Sequence, residues 1–238
     1  MRKQNGVYPG LLEIQAQIPA GDIVLDGDLL IPSGASGIAV FAHGSGSSRH
    51  SPRNRSVAHV IREAGVGSLL FDLLTREEES VDVFTRHLRF DIELLTARLI
   101  EVTRWLAGQE ETRNLRVGYF GSSTGAAAAL MAAAKLGAEV GAVVSRGGRP
   151  DLAGDALPLV KAPTLLIVGG HDETVIELNQ DAYALLRCEK ELRIIPGATH
   201  LFEEPGALEQ VAAFAAAWFK ERLQSLPAQK SAAGGARK

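Results

Sequence analysis

"LRVGYFGSSTGAAAAL", Leu115 to Leu130, joins two kinds of sequence through one short turn. Leu115 to Phe120 is rich in β-formers and reads as a strand. The alanines after Gly125 read as a helix whose small side chains suit close packing on a sheet. Between them stand three hydroxyl residues, Ser122, Ser123 and Thr124, bracketed by Gly121 and Gly125. A sharp strand-to-helix turn lifts its central residue clear of the sheet and sets the amides of a helix N-terminus behind it. Flanking glycines leave room for that backbone. Only Ser123 holds the centre of the Gly-x-Ser-x-Gly five. In a chain with 25 glycines the pentapeptide alone is also compatible with a turn made for packing. Its meaning rests on what surrounds it.

The surroundings repeat the strand–helix pattern. "GIAVFAHG" is a continuous apolar run ending in glycine, as in a strand covered on both faces. "VGSLLFDLL", "VGAVVSRGG", "APTLLIVGG" and "KELRIIPG" are further strand-like runs. Helical patterns separate them: "RSVAHVIREAG", the alanine helix, "VIELNQDAYALLRC" and the closing "GALEQVAAFAAAWFKERLQSL". "VDVFTRHLRFDIELLTARLIEVTRWLAG" reads as one long amphipathic helical stretch ending near Gly108. Ahead of all these, "LLEIQAQIP" and "VLDGDLLIP" alternate apolar and polar residues, as a half-buried antiparallel pair would. The order predicts an α/β fold, a mostly parallel sheet with helices on both faces. One domain is expected over residues 1–225. Residues 226–238, ending in "PAQKSAAGGARK", are small, polar and basic and are expected to form a disordered tail.

A chain of 238 residues can bury a sizeable core. A net charge of −3 lacks the basic excess of a nucleic-acid surface. No apolar run is long enough to span a bilayer. The N-terminal "MRKQNGVYPGLLEIQ" lacks the apolar segment of a secretory signal. A single cysteine, Cys188, excludes an internal disulfide and a cysteine-rich metal site. These features lead to the expectation of a cytoplasmic protein with neither nucleic acid nor membrane as partner.

In open α/β sheets ligands gather beyond the carboxyl ends of the strands. Ser123 lies there, and a serine hydroxyl needs a base, itself oriented by an acid. In this architecture the chain order is Ser, then Asp or Glu, then His. Asp172 follows "APTLLIVGG", and His200 follows "ELRIIPG" in "ATHLFEE". All three fall on one sheet edge in that order. Taken singly, Asp172 also suits a helix N-cap and His200 a surface loop. Asp151 and Asp155 are second choices for the acid. His171 adjoins Asp172, so its side chain points away from that of Asp172. His59 and His87 lie in helical patterns, and Cys188 lies near a helix end.

Acyl transfer also needs donors for an oxyanion. The amide of Thr124, next after Ser123, is one. The loop "HGSGSSRHSPRN" offers the other at Ser45, with Gly44 as runner-up and His43 as a residue that holds the loop. The chain lacks the glycine–lysine signature of a phosphate loop, and "HGSGSS" is no dinucleotide fingerprint. Arg49, Arg53 and Arg146 stand after strands on the same edge. Arginine forks suit a substrate carboxylate. The alternative is pairing with nearby acids such as Asp72 or Asp151.

"HGSGSSRHSPRN", "GYFGSSTGAAAAL", "VVSRGGRPDLAG", "APTLLIVGGHDETV" and "PGATHLFEEPGALE" together resemble the dienelactone-hydrolase-like branch of the α/β-hydrolase superfamily. The resemblance runs from about Gly37 to Phe219. It is strongest to bacterial hydrolase domains that occur alone or fused to phosphoribosyltransferase domains. It implies an eight-stranded sheet with one antiparallel member near its start, and Ser123, Asp172 and His200 as nucleophile, acid and base. Dienelactone hydrolases themselves carry cysteine where this chain has Ser123, which brings serine esterase chemistry nearer.

The combined expectation is a serine hydrolase, a carboxylesterase on small acyl esters, needing neither metal nor organic cofactor. A thioesterase or peptidase with the same triad, or a non-catalytic module of this fold, are the alternatives. The segment with Arg76, Glu77, Glu78 and Glu79 is too short for a large lid, so an open pocket and short acyl groups are expected.

Overall fold

The alternating segments at the start pair as their pattern requires. The computed structural model describes residues 5–8 and 10–224. β2 (Leu11–Ala20) and β3 (Ile23–Pro32) run antiparallel, with Leu11 opposite Pro32 and Ala20 opposite Ile23. Ile14, Ala16, Ile18, Leu25 and Leu29 turn one face of this pair into the core. A short β1 (Asn5–Tyr8) adds to the outer edge of β2.

Next come β4 (Gly37–Ala42), α1 (Pro52–Glu63), β5 (Gly67–Phe71), α2 (Arg76–Thr85) and α3 (Ile92–Gly108). Then follow β6 (Arg116–Ser122), α4 (Thr124–Leu136), β7 (Val140–Arg146), β8 (Thr164–Gly169), α5 (Glu173–Leu185), β9 (Lys190–Ile195) and α6 (Ala207–Arg222). The sheet order is β1-β2-β3-β5-β4-β6-β7-β8-β9. Every pair from β5 to β9 is parallel, and β3 meets β5 antiparallel. The eight expected strands are all present, with β3 as the reversed member, and β1 makes a ninth. The expected tail at 226–238 lies outside the described residues.

Two cores follow from the apolar residues on the two faces of the parallel strands. One joins the β2–β3 pair to α3 and α4, with Leu95, Leu99, Val102 and Tyr119 buried. The other lies under α1 and α6, where Phe41 and Phe120 meet at 4.8 Å between ring centres. Full burial of each such ring contributes about 1.5–3 kcal/mol. α4 is apolar on all sides and is buried almost throughout.

The long helical stretch expected up to Gly108 is broken instead. α2 starts earlier, at a capping box made by Thr75 and Glu78. It stops at Arg86, which takes a left-handed φ of 56°. A 3₁₀ turn spans Leu88–Phe90, and Asp91 caps α3 by accepting from the Leu94 amide. The break is held by Asp82, fully buried, which accepts from the Leu88 amide at 2.7 Å and from Arg89 Nε at 2.5 Å. The apolar period runs through this point. Side-chain bonds to the backbone overrule it.

Candidate active site

Register alone brings the important loops to one edge. Ala42 lies opposite Gly121, Ser122 opposite Arg146, Arg146 opposite Ile167, and Gly169 opposite Ile195. The loops after β4, β6, β7, β8 and β9 therefore emerge side by side.

Ser123 sits at the turn from β6 to α4 with φ 50° and ψ −122°. Two other residues near this conformation, Gly137 and Gly154, are glycines. A serine here carries strain of roughly 1–3 kcal/mol. Neighbouring backbone holds it: the Ser123 carbonyl accepts from the Arg149 amide at 3.1 Å, and its N–H donates to the Arg146 carbonyl at 3.4 Å. Close approach from behind requires the flanking glycines. A Cβ on Gly121 would lie 2.7 Å from the Ala126 nitrogen, and one on Gly125 2.5 Å from the His43 carbonyl. Ser122 is buried, whereas Ser123 is partly open to solvent.

Asp172 occupies the N-cap position of α5, yet its side chain makes no capping bond. Its Oδ2 lies 2.6 Å from His200 Nδ1 instead. The proton of that bond belongs on Nδ1, which leaves Nε2 free to accept. The loops after β8 and β9 are closely joined. Gly170 N–H donates to Ile195 O and His171 N–H to Ala198 O, and a Cβ on Gly169 would lie 2.9 Å from the Ala198 carbonyl carbon. His171 faces solvent. A Cβ on Gly147 would lie 3.5 Å from His200 Cε1, so the imidazole stands beside the loop that also holds Ser123. Among the described residues no hydrogen bond joins Ser123 Oγ to His200, and such bonds often form only when a reactant is bound.

Ser45 and Thr124 line one cavity with His43, Leu73, Glu79, Arg89 and Leu95, about 400 Å³ with its open mouth. Thr124 is the first residue of α4, so its N–H has no partner within the helix. The place of a Gly44 Cβ is 3.1 Å from Ser123 Cβ, which puts this loop against the serine. His43 anchors it. Its Nε2 accepts from the Leu73 amide at 3.0 Å, and Nδ1 faces the Gly44 carbonyl at 3.0 Å. That pattern requires the neutral ring. Burial holds its pKa below the ordinary value and outweighs Gly44, Asp72 and Glu79, which act to raise it.

The three candidate arginines separate. Arg49 pairs with Asp72, and its backbone N–H also reaches Asp72 at 2.7 Å. Asp28 lies 3.8 Å from its Nε. Its charge is thus occupied in joining the loop to the sheet. Arg53 pairs with Glu203 at 2.9 Å. Arg146 is buried, and its Nε and Nη1 have no hydrogen-bond partner among the described residues. Asp151, the second choice for the acid, is engaged by Arg149 through two bonds of 2.8 and 2.7 Å. Asn179 was not legible as a site residue. It is fully buried and donates from Nδ2 to Gly148 O at 3.0 Å, bracing the loop beside Ser123. Its signal is a polar residue in the buried stripe Val175, Asn179, Ala182.

Comparison with known proteins places the fold in a family. The model of the dienelactone hydrolase family matches residues 26–226. A dienelactone hydrolase from Anabaena variabilis, solved by crystallography, is 59% identical with a TM-score of 0.89, covering 90% of this chain and all of that one. A putative phosphoribosyl transferase of Mycobacterium tuberculosis is 60% identical over 215 residues, 90% of this chain and 48% of that protein. The chain thus spans about half the length of that relative. A cold-adapted esterase from an Arctic intertidal metagenomic library shares the fold, with TM-score 0.74 at 14% identity over 93% of this chain and 98% of that one.

Proposed function

The chain belongs to the dienelactone hydrolase family and is a hydrolase, and we propose that it acts as a serine carboxylesterase on small acyl esters. The observation that carries the proposal is the Asp172–His200 bond. Asp172 stands where it could cap α5 and instead bonds the His200 imidazole, which lies close to Gly147 in the loop whose Arg146 carbonyl accepts from the Ser123 amide. In the proposed reaction His200 Nε2 takes the Ser123 proton, and the serine oxygen attacks the ester carbonyl. The amides of Thr124 and Ser45 hold the oxyanion. His200 then gives its proton to the departing alcohol, leaving an acyl-serine. A water that loses its proton to His200 attacks this ester, and the acid leaves as Ser123 is restored. Asp172 keeps the proton on Nδ1 and holds the ring in place. Neither metal nor organic cofactor enters these steps.

The Anabaena relative carries the name of an enzyme that opens a cyclic ester, which is the same bond class. Phosphoribosyl transfer is not carried over from the mycobacterial name, because that name belongs to a protein about twice as long. The short α2 supports small acyl groups, since ten residues make no large lid. A fluorophosphonate probe tests the nucleophile. It is expected to label the wild type and not Ser123→Ala, and failure to label either refutes the reading. With p-nitrophenyl esters of rising chain length, kcat/KM is expected to fall beyond short acyl groups; a preference for long chains refutes the small-pocket argument.

A further inference from the structure

β9 is the last strand of the sheet order, and among the described residues it pairs only with β8. Its peptide groups alternate in direction. The Thr164 amide donates to Glu189 O and the Gly170 amide to Ile195 O, at the two ends of the parallel pair. Glu191, Arg193 and Ile195 therefore turn their N–H and C=O groups to β8, and Lys190, Leu192 and Ile194 turn theirs outward. An open row of this kind is a ready template for another strand.

Lysine commonly guards such an edge. Here Lys190 folds back on its own α5 instead. Its Nζ donates at 2.6 Å to both Tyr183 O and Leu186 O and lies 4.5 Å from the Tyr183 ring centre. On the same side of the strand Ile194 is exposed over 44% of its surface. On the other side Glu191 and Arg193 form an ion pair, and Arg193 lies 5.2 Å over the Phe214 ring of α6.

The strand that fits this edge is an antiparallel copy of β9 itself. Bonds form only where outward residues face outward residues, so a two-fold axis passes through a residue and not between two. Centred on Leu192, it sets Leu192 against Leu192 and Lys190 against Ile194 as hydrogen-bonded pairs. Every outward N–H of the strand then finds a carbonyl. Glu191 faces Arg193 of the second copy, on both sides of the axis, in non-hydrogen-bonded pairs whose Cα atoms stand about 4.5 Å apart. The stem of Lys190 covers the exposed Ile194 of the other copy. Other registers fit worse. Centring on Lys190, Glu191 or Arg193 puts like charges face to face. Centring on Ile194 brings in Pro196, which has no N–H.

We propose that the protein forms a two-fold dimer by pairing β9 with β9 of a second copy, so that one sheet runs through both. The copies point in opposite directions. The edges that carry Ser123 and His200 open at opposite ends of the dimer, and each chain keeps its own site. The strand that delivers the His200 loop is then bonded on both sides.

Sedimentation equilibrium over about two decades of concentration and hydrogen exchange read at single residues test this. Wild type is expected to approach twice the chain mass as concentration rises. The Leu192 and Ile194 amides are expected to exchange slowly in the dimer and faster on dilution. Those of Glu191 and Arg193, bonded to β8, stay slow throughout. Arg193→Glu leaves only carboxylates around the axis and is expected to raise the dimer Kd about tenfold or more, as does the opposite reversal, Glu191→Arg. Combining the two reversals restores the facing pairs and returns Kd to within about threefold of wild type. Ile194→Pro removes an outward N–H without touching the β8 ladder, and it is expected to weaken the dimer with the far-UV circular dichroism unchanged. A monomer at every concentration overturns the proposal. So does a dimer that ignores both charge reversals and Ile194→Pro, or one whose Leu192 and Ile194 amides exchange freely. Growth beyond two copies also overturns it, because that marks a head-to-tail contact.

Discussion

Replacing Gly125 by alanine tests the claim that the turn is built by close backbone approach. The added Cβ would lie 2.5 Å from the His43 carbonyl oxygen, and nearer still to that of Ala42. Cβ atoms essentially never come closer than 3.0 Å, so at least about 0.5 Å of movement is forced. Both obstacles are backbone, at the end of β4 and the root of the Ser45 loop, so neither can swing aside like a side chain. Overpacking of this kind costs about 1–3 kcal/mol, against a helix-propensity gain of up to about 1 kcal/mol. A net loss of roughly 1–2 kcal/mol lowers the Tm of a chain this size by about 2–8 °C. The same movement separates the Ser45 loop from the first turn of α4. Displacements near 1 Å cost about a hundredfold in rate, so at least about a tenfold fall in kcat/KM for a short ester is expected. The control is Gly108→Ala at the end of α3, where a Cβ would meet nothing within 4 Å. It is expected to leave rate and Tm unchanged or raise Tm slightly. Differential scanning calorimetry and initial rates decide the matter. If Gly125→Ala melts at or above wild type and keeps its rate within twofold, the packing argument is wrong.

Asp172→Asn removes the charge that orients His200, so kcat is expected to fall about 10³–10⁴-fold with Tm little changed; a fall of less than tenfold would remove Asp172 from the triad. His43 titrates with a depressed pKa in the folded state and near 6.5 when unfolded. Its contribution to stability is therefore complete above about pH 6.5 and declines as pH falls below, by up to about 1.4 kcal/mol per unit. In urea titrations from pH 7.5 to 5, His43→Gln is expected to show a shallower decline, and parallel curves for the two proteins would contradict this. Asp82→Ala leaves Arg89 and the Leu88 amide without their acceptor. Breaking such a buried pair costs about 3–5 kcal/mol, and a Tm within 2 °C of wild type would count against the role given to Asp82 at the α2–α3 break.

Much of this protein was legible in one dimension because its largest effects are periodic or local. Alternation announced β2 and β3, and continuous apolar runs announced β4 and β7, because burial on one or two faces leaves those patterns. Strand ends followed by Ser123, Asp172 and His200 put all three on one edge once the sheet was known to be parallel. Other features depend on distances between segments remote in sequence. The chain could not reveal that Asp172 turns from α5 to His200 rather than capping its own helix, since both uses suit an aspartate before a helix. It could not distinguish Arg49, matched by Asp72, from Arg146, matched by no carboxylate among the described residues. The break between α2 and α3 was hidden because one buried carboxylate, Asp82, overrides an unbroken apolar period. Composition and periodicity determine which surfaces must be buried. Only the folded arrangement decides which charges find partners, because pairing depends on angstrom-scale geometry that a linear pattern does not carry.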